Sequence, residues 1–314
     1  MQLGLGTAAL GRPQYINLRQ KGFINPDLKT FKQQSFSVLE KAYGLGVRYF
    51  DTAPGYGLAE NLLLEWLQTK KDSDIQIATK WGYTYVANFN ANAKVHEVKE
   101  HSLEKLNEQW KVSKAFLPHL KAYQIHSATL ETGVLKNEAI LNRLAFLKNE
   151  YEIEIGITTT GDNQVEVIKK ALDVLVNGKP LFDAFQVTYN MLDQSLGVIS
   201  ETLLNQDKKI IIKEALANGR LFRNRRYKHY DKLYGVLEEF ARKYNVGVDV
   251  IALKFCQQSI NKSMVLSGAS NDDHLKSNLQ MNTITLSEED LNRLKSYRID
   301  SANYWGERKQ LTWN

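Results

Sequence analysis

The chain has 314 residues, 43% of them hydrophobic, a formal net charge of +6 and one cysteine, Cys256. That length and apolar content suffice for one sizeable core, and a lone thiol excludes an intramolecular disulfide. The positive charge is spread along the chain, which suits an anionic small molecule and argues against a nucleic-acid reader. No apolar run approaches the ~18 residues of a membrane span, and the N-terminal MQLGLGTAAL lacks the charged start of a signal peptide. The expectation is a soluble, cytoplasmic protein that binds no membrane. Cys256 lies among Val250, Ile251, Leu253 and Phe255, so it reads as a buried, inert thiol.

Short apolar runs alternate with longer amphipathic segments. Gln2–Thr7 is the first predicted strand, followed by a polar loop over Gly11–Lys29 with Tyr15 and Phe23 as anchors. A helix is predicted over Phe31–Leu45, ended by Gly46, then a strand over Val47–Phe50 and a helix over Ala59–Lys70. Ile75–Thr79 is the third strand. A helix over Val95–Trp110 leads to a strand at Ala122–Ile125, and Glu138–Asn149 to a strand at Ile153–Thr158. Gln164–Val176 is helical, Phe182–Val187 a strand, Leu196–Asn205 a helix and Lys209–Lys213 a strand. After a basic loop come helices over Lys232–Tyr244 and Val248–Gln258, a strand at Met264–Ser267, helices over Asp272–Leu279 and Glu288–Arg298, and a polar-aromatic tail, Ser301–Asn314.

Eight strand–helix units predict a parallel sheet closed into a (β/α)8 TIM barrel, read as a single domain over residues 1–314 with the tail 301–314 over its mouth. An open doubly wound sheet is the rival. The early cluster Gly4-Leu5-Gly6-Thr7 lacks the third glycine of a dinucleotide fingerprint.

Three polar residues stand just past consecutive predicted strands: Asp51, Lys80 and His126. In a barrel these ends converge on one mouth. Tyr56 stands on the second loop, in Tyr49–Gly57, read as YFDTAPGYG, between Gly55 and Gly57. A tyrosine hydroxyl is too weak an acid for efficient proton transfer near neutrality. An adjacent ammonium lowers its pKa, and a carboxylate holds the ammonium in place. A histidine can hydrogen-bond a substrate oxygen. The quartet fits protonation of a carbonyl oxygen while hydride arrives at carbon. It is no metal site, since lysine is no ligand.

The chain resembles the aldo-keto reductase family. The resemblance is carried by Asp51-Thr52-Ala53-Pro54-Gly55-Tyr56-Gly57, by Ala78-Thr79-Lys80-Trp81-Gly82 and by Tyr123-Gln124-Ile125-His126-Ser127. It implies an oxidoreductase that reduces an aldehyde or ketone, or oxidises the matching alcohol. Tyr56 is its general acid, Lys80 and Asp51 tune the tyrosine, and His126 orients the carbonyl. The implied cofactor is a nicotinamide dinucleotide, NADP(H) ahead of NAD(H). The implied cofactor residues are Gly6, Thr7, Asp51, Thr158, Gln186, Lys213, Gly268, Ser270, His274 and Asn278. Thr159 replaces an asparagine of the family pattern, Lys213 replaces an aromatic that stacks on the nicotinamide, and the arginine aimed at the 2′-phosphate is absent, with Asp272 and Asp273 nearby.

Lys213 reads equally as half of a salt bridge with Glu214. The run Gly219–His229, with Arg220, Arg223, Arg225, Arg226 and Lys228, reads first as a solvated face and second as a clamp over phosphates. Trp81, Tyr83, Tyr85, Tyr304 and Trp305 are candidates for the substrate rim. The expected partner is a small carbonyl compound, and the expected state a monomer or weak homo-oligomer. Two rival functions remain: a catalytically weak NAD(P)-binding regulatory or scaffold barrel, and a Schiff-base enzyme using Lys80.

Overall fold

Eight parallel strands hydrogen-bond in a closed ring in this computed structural model, which describes residues 3–13, 18, 27–90 and 92–313. They are β1 (Leu3–Gly6), β2 (Tyr49–Asp51), β3 (Gln76–Trp81), β4 (Leu120–Ala128), β5 (Glu154–Thr159), β6 (Ala184–Thr188), β7 (Lys209–Lys213) and β8 (Met264–Ser267). The ring closes where β1 pairs with both β2 (Gly6 opposite Asp51) and β8 (Leu3 opposite Val265). Helices lie between successive strands, so the fold is the expected (β/α)8 barrel.

Alternation along each strand sorts the side chains. Tyr49, Ala78, Ala122, Ala184, Ile211 and Leu266 form one small cluster, the floor of the barrel interior. Their neighbours, such as Phe50, Ile77, Tyr123, Phe185, Ile210, Ile212 and Val265, belong to the large cluster between strands and helices. Two residues beyond the floor, on the same face, come Asp51, Lys80, Gln124, Gln186 and Lys213. The interior is therefore apolar below and polar above. At Gly156 a Cβ would lie 2.8 Å from the Ala184 carbonyl oxygen and 2.9 Å from Gln124 Cγ, so the interior at that level has no room for a side chain from β5.

The structure corrects several boundaries. β2, β3 and β4 continue through Asp51, Lys80 and His126; the backbone ladder is indifferent to polar side chains that satisfy one another inside. Val95–Trp110 is not one helix. Glu97–Lys99 pairs antiparallel with Tyr83–Tyr85, and the helix Leu103–Ser113 starts where Ser102 Oγ accepts from Lys105 N at 3.0 Å. The Gln164 helix stops at Leu172. Leu175–Val176 turns back onto Lys179–Pro180 through Asn177 and Gly178, whose φ values of 50° and 75° suit an Asn-Gly hairpin turn. The tail is helical over Ser301–Lys309, capped by Asp300. Tyr15 and Phe23 lie outside the described residues. Among those described, no helix is long and apolar enough to cross a membrane. Cys256 is buried, its Sγ 3.3 Å from the Tyr189 carbonyl, and burial pushes its thiol pKa up.

Candidate active site

Tyr56 is placed by backbone packed on backbone. It ends a single turn, Pro54–Tyr56, and Gly57 follows with φ 64°. A Cβ on Gly11 would lie 1.8 Å from the Tyr56 carbonyl oxygen, and one on Gly57 would lie 2.5 Å from that of Gly11. Leu58 N closes the contact by donating to the Gly11 carbonyl at 2.7 Å. The glycines thus pin the loop rather than free the tyrosine. Arg12 lies alongside, 2% exposed. Its guanidinium donates to Gly55 O at 2.7 Å, pairs with Glu97 and sits 5.4 Å from the centre of the Tyr56 ring.

Beneath the tyrosine is a buried polar chain across the barrel. Lys80 Nζ donates to Asp51 Oδ2 at 2.5 Å and to the Thr52 carbonyl at 2.9 Å. Gln186 Nε2, from the opposite side of the ring, donates to Asp51 Oδ1 at 2.6 Å. Lys80 is fully buried and Asp51 nearly so, so both charges depend on this pairing. The ammonium lies 4.8 Å from the Tyr56 ring centre.

His126 meets the tyrosine edge-on, with ring centres 5.5 Å apart at 86°. It sits where β4 slips register against β5, and the next residue, Ser127, has φ 50°. Two side chains hold this irregular turn. Ser127 N donates to Thr158 Oγ1 at 2.7 Å, and His101 Nε2 lies 2.9 Å from the His126 carbonyl. His101 fits only because residue 82 is glycine, where a Cβ would come within 2.3 Å of its ring. Tyr83 packs on the other side of His126 at 4.6 Å.

The electrostatics depart from expectation at Tyr56. Burial, and then the Asp51 carboxylate, push its pKa well above the ordinary tyrosine value, while Arg12 only partly opposes them. Lys80 does not offset this rise, and the carboxylate paired with it adds to it. The phenol is therefore held protonated. His126 is driven the other way, well below its ordinary value, by burial and then by Lys80, Arg12 and Lys213. It is a neutral imidazole with no hydrogen bond at Nδ1. The Tyr56 hydroxyl also makes no hydrogen bond among the described residues, and only its backbone N–H donates, to the Ala53 carbonyl at 3.0 Å.

The aldo/keto reductase family model matches residues 2–299. This chain belongs to the aldo/keto reductase family. It is 23% identical over 306 residues to the uncharacterized oxidoreductase YqkF of Bacillus subtilis, covering 90% of this chain and 93% of that one. Among solved structures it resembles the glycerol dehydrogenase AKR11B4 from Gluconobacter oxydans, with TM-score 0.72, 18% identity and coverage of 94% and 90%. It also resembles the Gox0644 D53A mutant in complex with NADPH, with TM-score 0.64, 17% identity and coverage of 99% and 94%.

Against that family frame, the remaining predicted positions divide. Gln186 bonds directly to Asp51 of the quartet. Thr7 donates its hydroxyl to the Asp51 carbonyl at 2.9 Å, and Thr158 holds the His126 turn. Asn278 is buried and spent on Ser267 and Asp249, both at 2.7 Å. Gly268, Ser270 and His274 are exposed on the loop and helix after β8, where Asn271 caps the helix by accepting from His274 N.

Lys213 does not pair with Glu214. Its Nζ donates to Thr188 Oγ1 at 2.8 Å, while Glu214 accepts from Arg308 at 3.0 and 3.2 Å and from Tyr304 at 3.1 Å. Nor is the basic run only a solvated face. Arg220 is fully buried, bonded to Glu307 and to the Tyr304 carbonyl, both at 3.1 Å. Arg223 and Arg225 are exposed, as expected. Of the rim aromatics, Tyr304 and Trp305 are buried in this clasp, Trp81 is a core residue, and Tyr83 and Tyr85 form the hairpin beside His126.

Arg12, His101, Glu97 and Arg308 were not singled out from sequence. The only available signal was Gly82, whose lack of a side chain marks a close approach.

Proposed function

We propose that the chain is a NAD(P)H-dependent carbonyl reductase that interconverts an aldehyde or ketone and its alcohol, with Tyr56 as general acid. The observation that carries this reading is the Tyr56 side chain, whose hydroxyl has no hydrogen-bond partner among the described residues, set edge-on to the ring of His126 directly above the Lys80–Asp51 pair. A hydroxyl spent on nothing else, beside an imidazole, can receive a carbonyl oxygen. His126 orients that oxygen by hydrogen bonding. Tyr56 passes it a proton as negative charge develops. The Lys80–Asp51 pair keeps a cation close to the phenolate so formed, and stabilises it then rather than in the resting state.

A nicotinamide dinucleotide, when bound, supplies the hydride. The residues fit it at the reacting end, where Gly6 leaves the strand end bare and a Cβ on it would meet only the Ser267 carbonyl at 3.5 Å. At Gly268 a Cβ would meet nothing within 4 Å, so the β8 loop is open to a ligand. Ser270, Asn271 and the capped helix start offer hydroxyl, amide and backbone donors for a phosphate. No arginine there selects the 2′-phosphate. The NADPH complex of a family structure and the dehydrogenase and oxidoreductase names of other relatives support the cofactor class.

The test is Tyr56→Phe assayed over a panel of aldehydes with NADPH and NADH. Turnover should fall by roughly 10²–10⁴-fold, the range for loss of a positioned acid, while cofactor still quenches protein fluorescence. A variant that turns over at the wild-type rate removes Tyr56 from the role.

A further inference from the structure

We propose that Lys213 is an anion subsite in the barrel mouth, where its ammonium receives an anionic oxygen group of the bound ligand: a carboxylate on the carbonyl substrate or the diphosphate of the dinucleotide. The inference rests on the reading given under Proposed function.

The geometry begins with parity. Ile211 belongs to the floor of the barrel, whereas Ile210 and Ile212 face the helices. Lys213, two residues on from Ile211 and last in β7, therefore points to the interior side at the mouth. Thr188, its register partner on β6, lies on the same face.

Three other cations among the described residues of the mouth each have a carboxylate. Lys80 has Asp51, Arg12 has Glu97 and Arg308 has Glu214. Lys213 has a neutral hydroxyl, and among the described residues no carboxylate lies within 4 Å of it. The two acids near it are committed elsewhere. Glu214 is held by Arg308 and Tyr304, and Asp193 by Trp305 Nε1 at 3.1 Å and by Ser195 N at 3.1 Å. A largely buried ammonium with only a hydroxyl partner lacks the compensation such charges normally have. Burial depresses its pKa despite the pull of Glu214, and an arriving anion reverses that cost. Lys213 lies on the same interior face as Gln186, which bonds Asp51, so the anionic group it binds belongs to a molecule at the reacting centre.

The experiment compares wild type with Lys213→Met, which keeps the stem without the charge, and Lys213→Arg, which restores charge. Two readouts are taken: the ratio of kcat/KM for succinic semialdehyde to that for butyraldehyde, and the calorimetric Kd for NADPH. If the anion is a substrate carboxylate, the ratio falls about tenfold or more in Lys213→Met, as for loss of a hydrogen bond to a charged group, and recovers in Lys213→Arg. If it is the diphosphate, the Kd for NADPH rises by a similar factor and recovers likewise. A ratio and a Kd both at wild-type values in Lys213→Met overturn the subsite while leaving the carbonyl-reductase reading intact. A wild type that reduces neither aldehyde sinks that reading instead, and the NADPH Kd then decides the subsite alone.

Discussion

The two sides of the barrel mouth use the same residue types to opposite ends. On the β2–β4 side, Asp51 and Lys80 satisfy each other and leave Tyr56 and His126 with open hydrogen-bonding capacity. On the β7 side, Glu214, Tyr304, Arg308, Arg220 and Glu307 bond to one another, leaving only Arg220 Nη2 over, and lock the C-terminal helix Ser301–Lys309 to the barrel. His229 and Tyr230 add two more contacts to Glu307, at 2.8 and 2.7 Å. A charged cluster whose charges are spent on one another is structure. One that leaves a donor free, in a low-dielectric setting, is poised for chemistry. Lys213 stands on the β7 side but is not part of its network.

Three experiments sharpen or break this contrast. The largest effect belongs to the clasp. Arg220→Met removes its bonds to Glu307 and to the Ala217 and Tyr304 carbonyls and a ring contact 4.1 Å from Tyr304, so the unfolding free energy in urea should drop by about 3–5 kcal/mol. A loss no larger than that of an exposed Arg225→Met control would show that the cluster is not structural.

Next comes Glu60, behind the catalytic side, which accepts from Thr79 Oγ1 at 2.6 Å and from Ser113 Oγ at 3.2 Å. Burial raises its pKa from 4.5 to about 7. Between those values the folded chain keeps a proton that the unfolded chain has released. Stability should therefore fall as pH rises from 4.5 toward 7, by roughly 3 kcal/mol in total from this group. Glu60→Gln should flatten that part of the pH–stability curve, and an unchanged slope would refute the assignment.

The smallest effect is at His101. His101→Leu removes the contact to the His126 carbonyl and should lower kcat about tenfold, the worth of one hydrogen bond near 1.4 kcal/mol. His101→Gln, whose amide can replace the Nε2 donor, should recover most of it with KM little changed. Equal losses in both variants would point to packing against Trp81, 5.5 Å away, rather than to positioning.

Much of the β2–β4 side was legible in sequence. Asp51, Lys80 and His126 each interrupt an apolar strand pattern near its C-terminal end, and topology then brings such interruptions together. Local chemistry also exposed the Asn177-Gly178 turn, though the helical spacing around it was read instead. The β7 side was not legible, because its bonds join residues far apart in the chain. Arg220 meets Tyr304 across 84 positions and Glu214 meets Arg308 across 94, and a basic run looks the same from sequence whether its arginines face water or Glu307.

The order of apolar runs and breaks determined the barrel, and the type of side chain at the strand ends determined which groups are available for chemistry. Only the tertiary structure decided which charges cancel. Asp51 pairs with Lys80 and, together with burial, holds Tyr56 a protonated phenol, while Arg308 takes Glu214 and, among the described residues, Lys213 has no carboxylate. Pairing depends on distances of a few ångströms between strands and helices far apart in the chain, and an ammonium's effect on its neighbours reverses once a carboxylate sits against it.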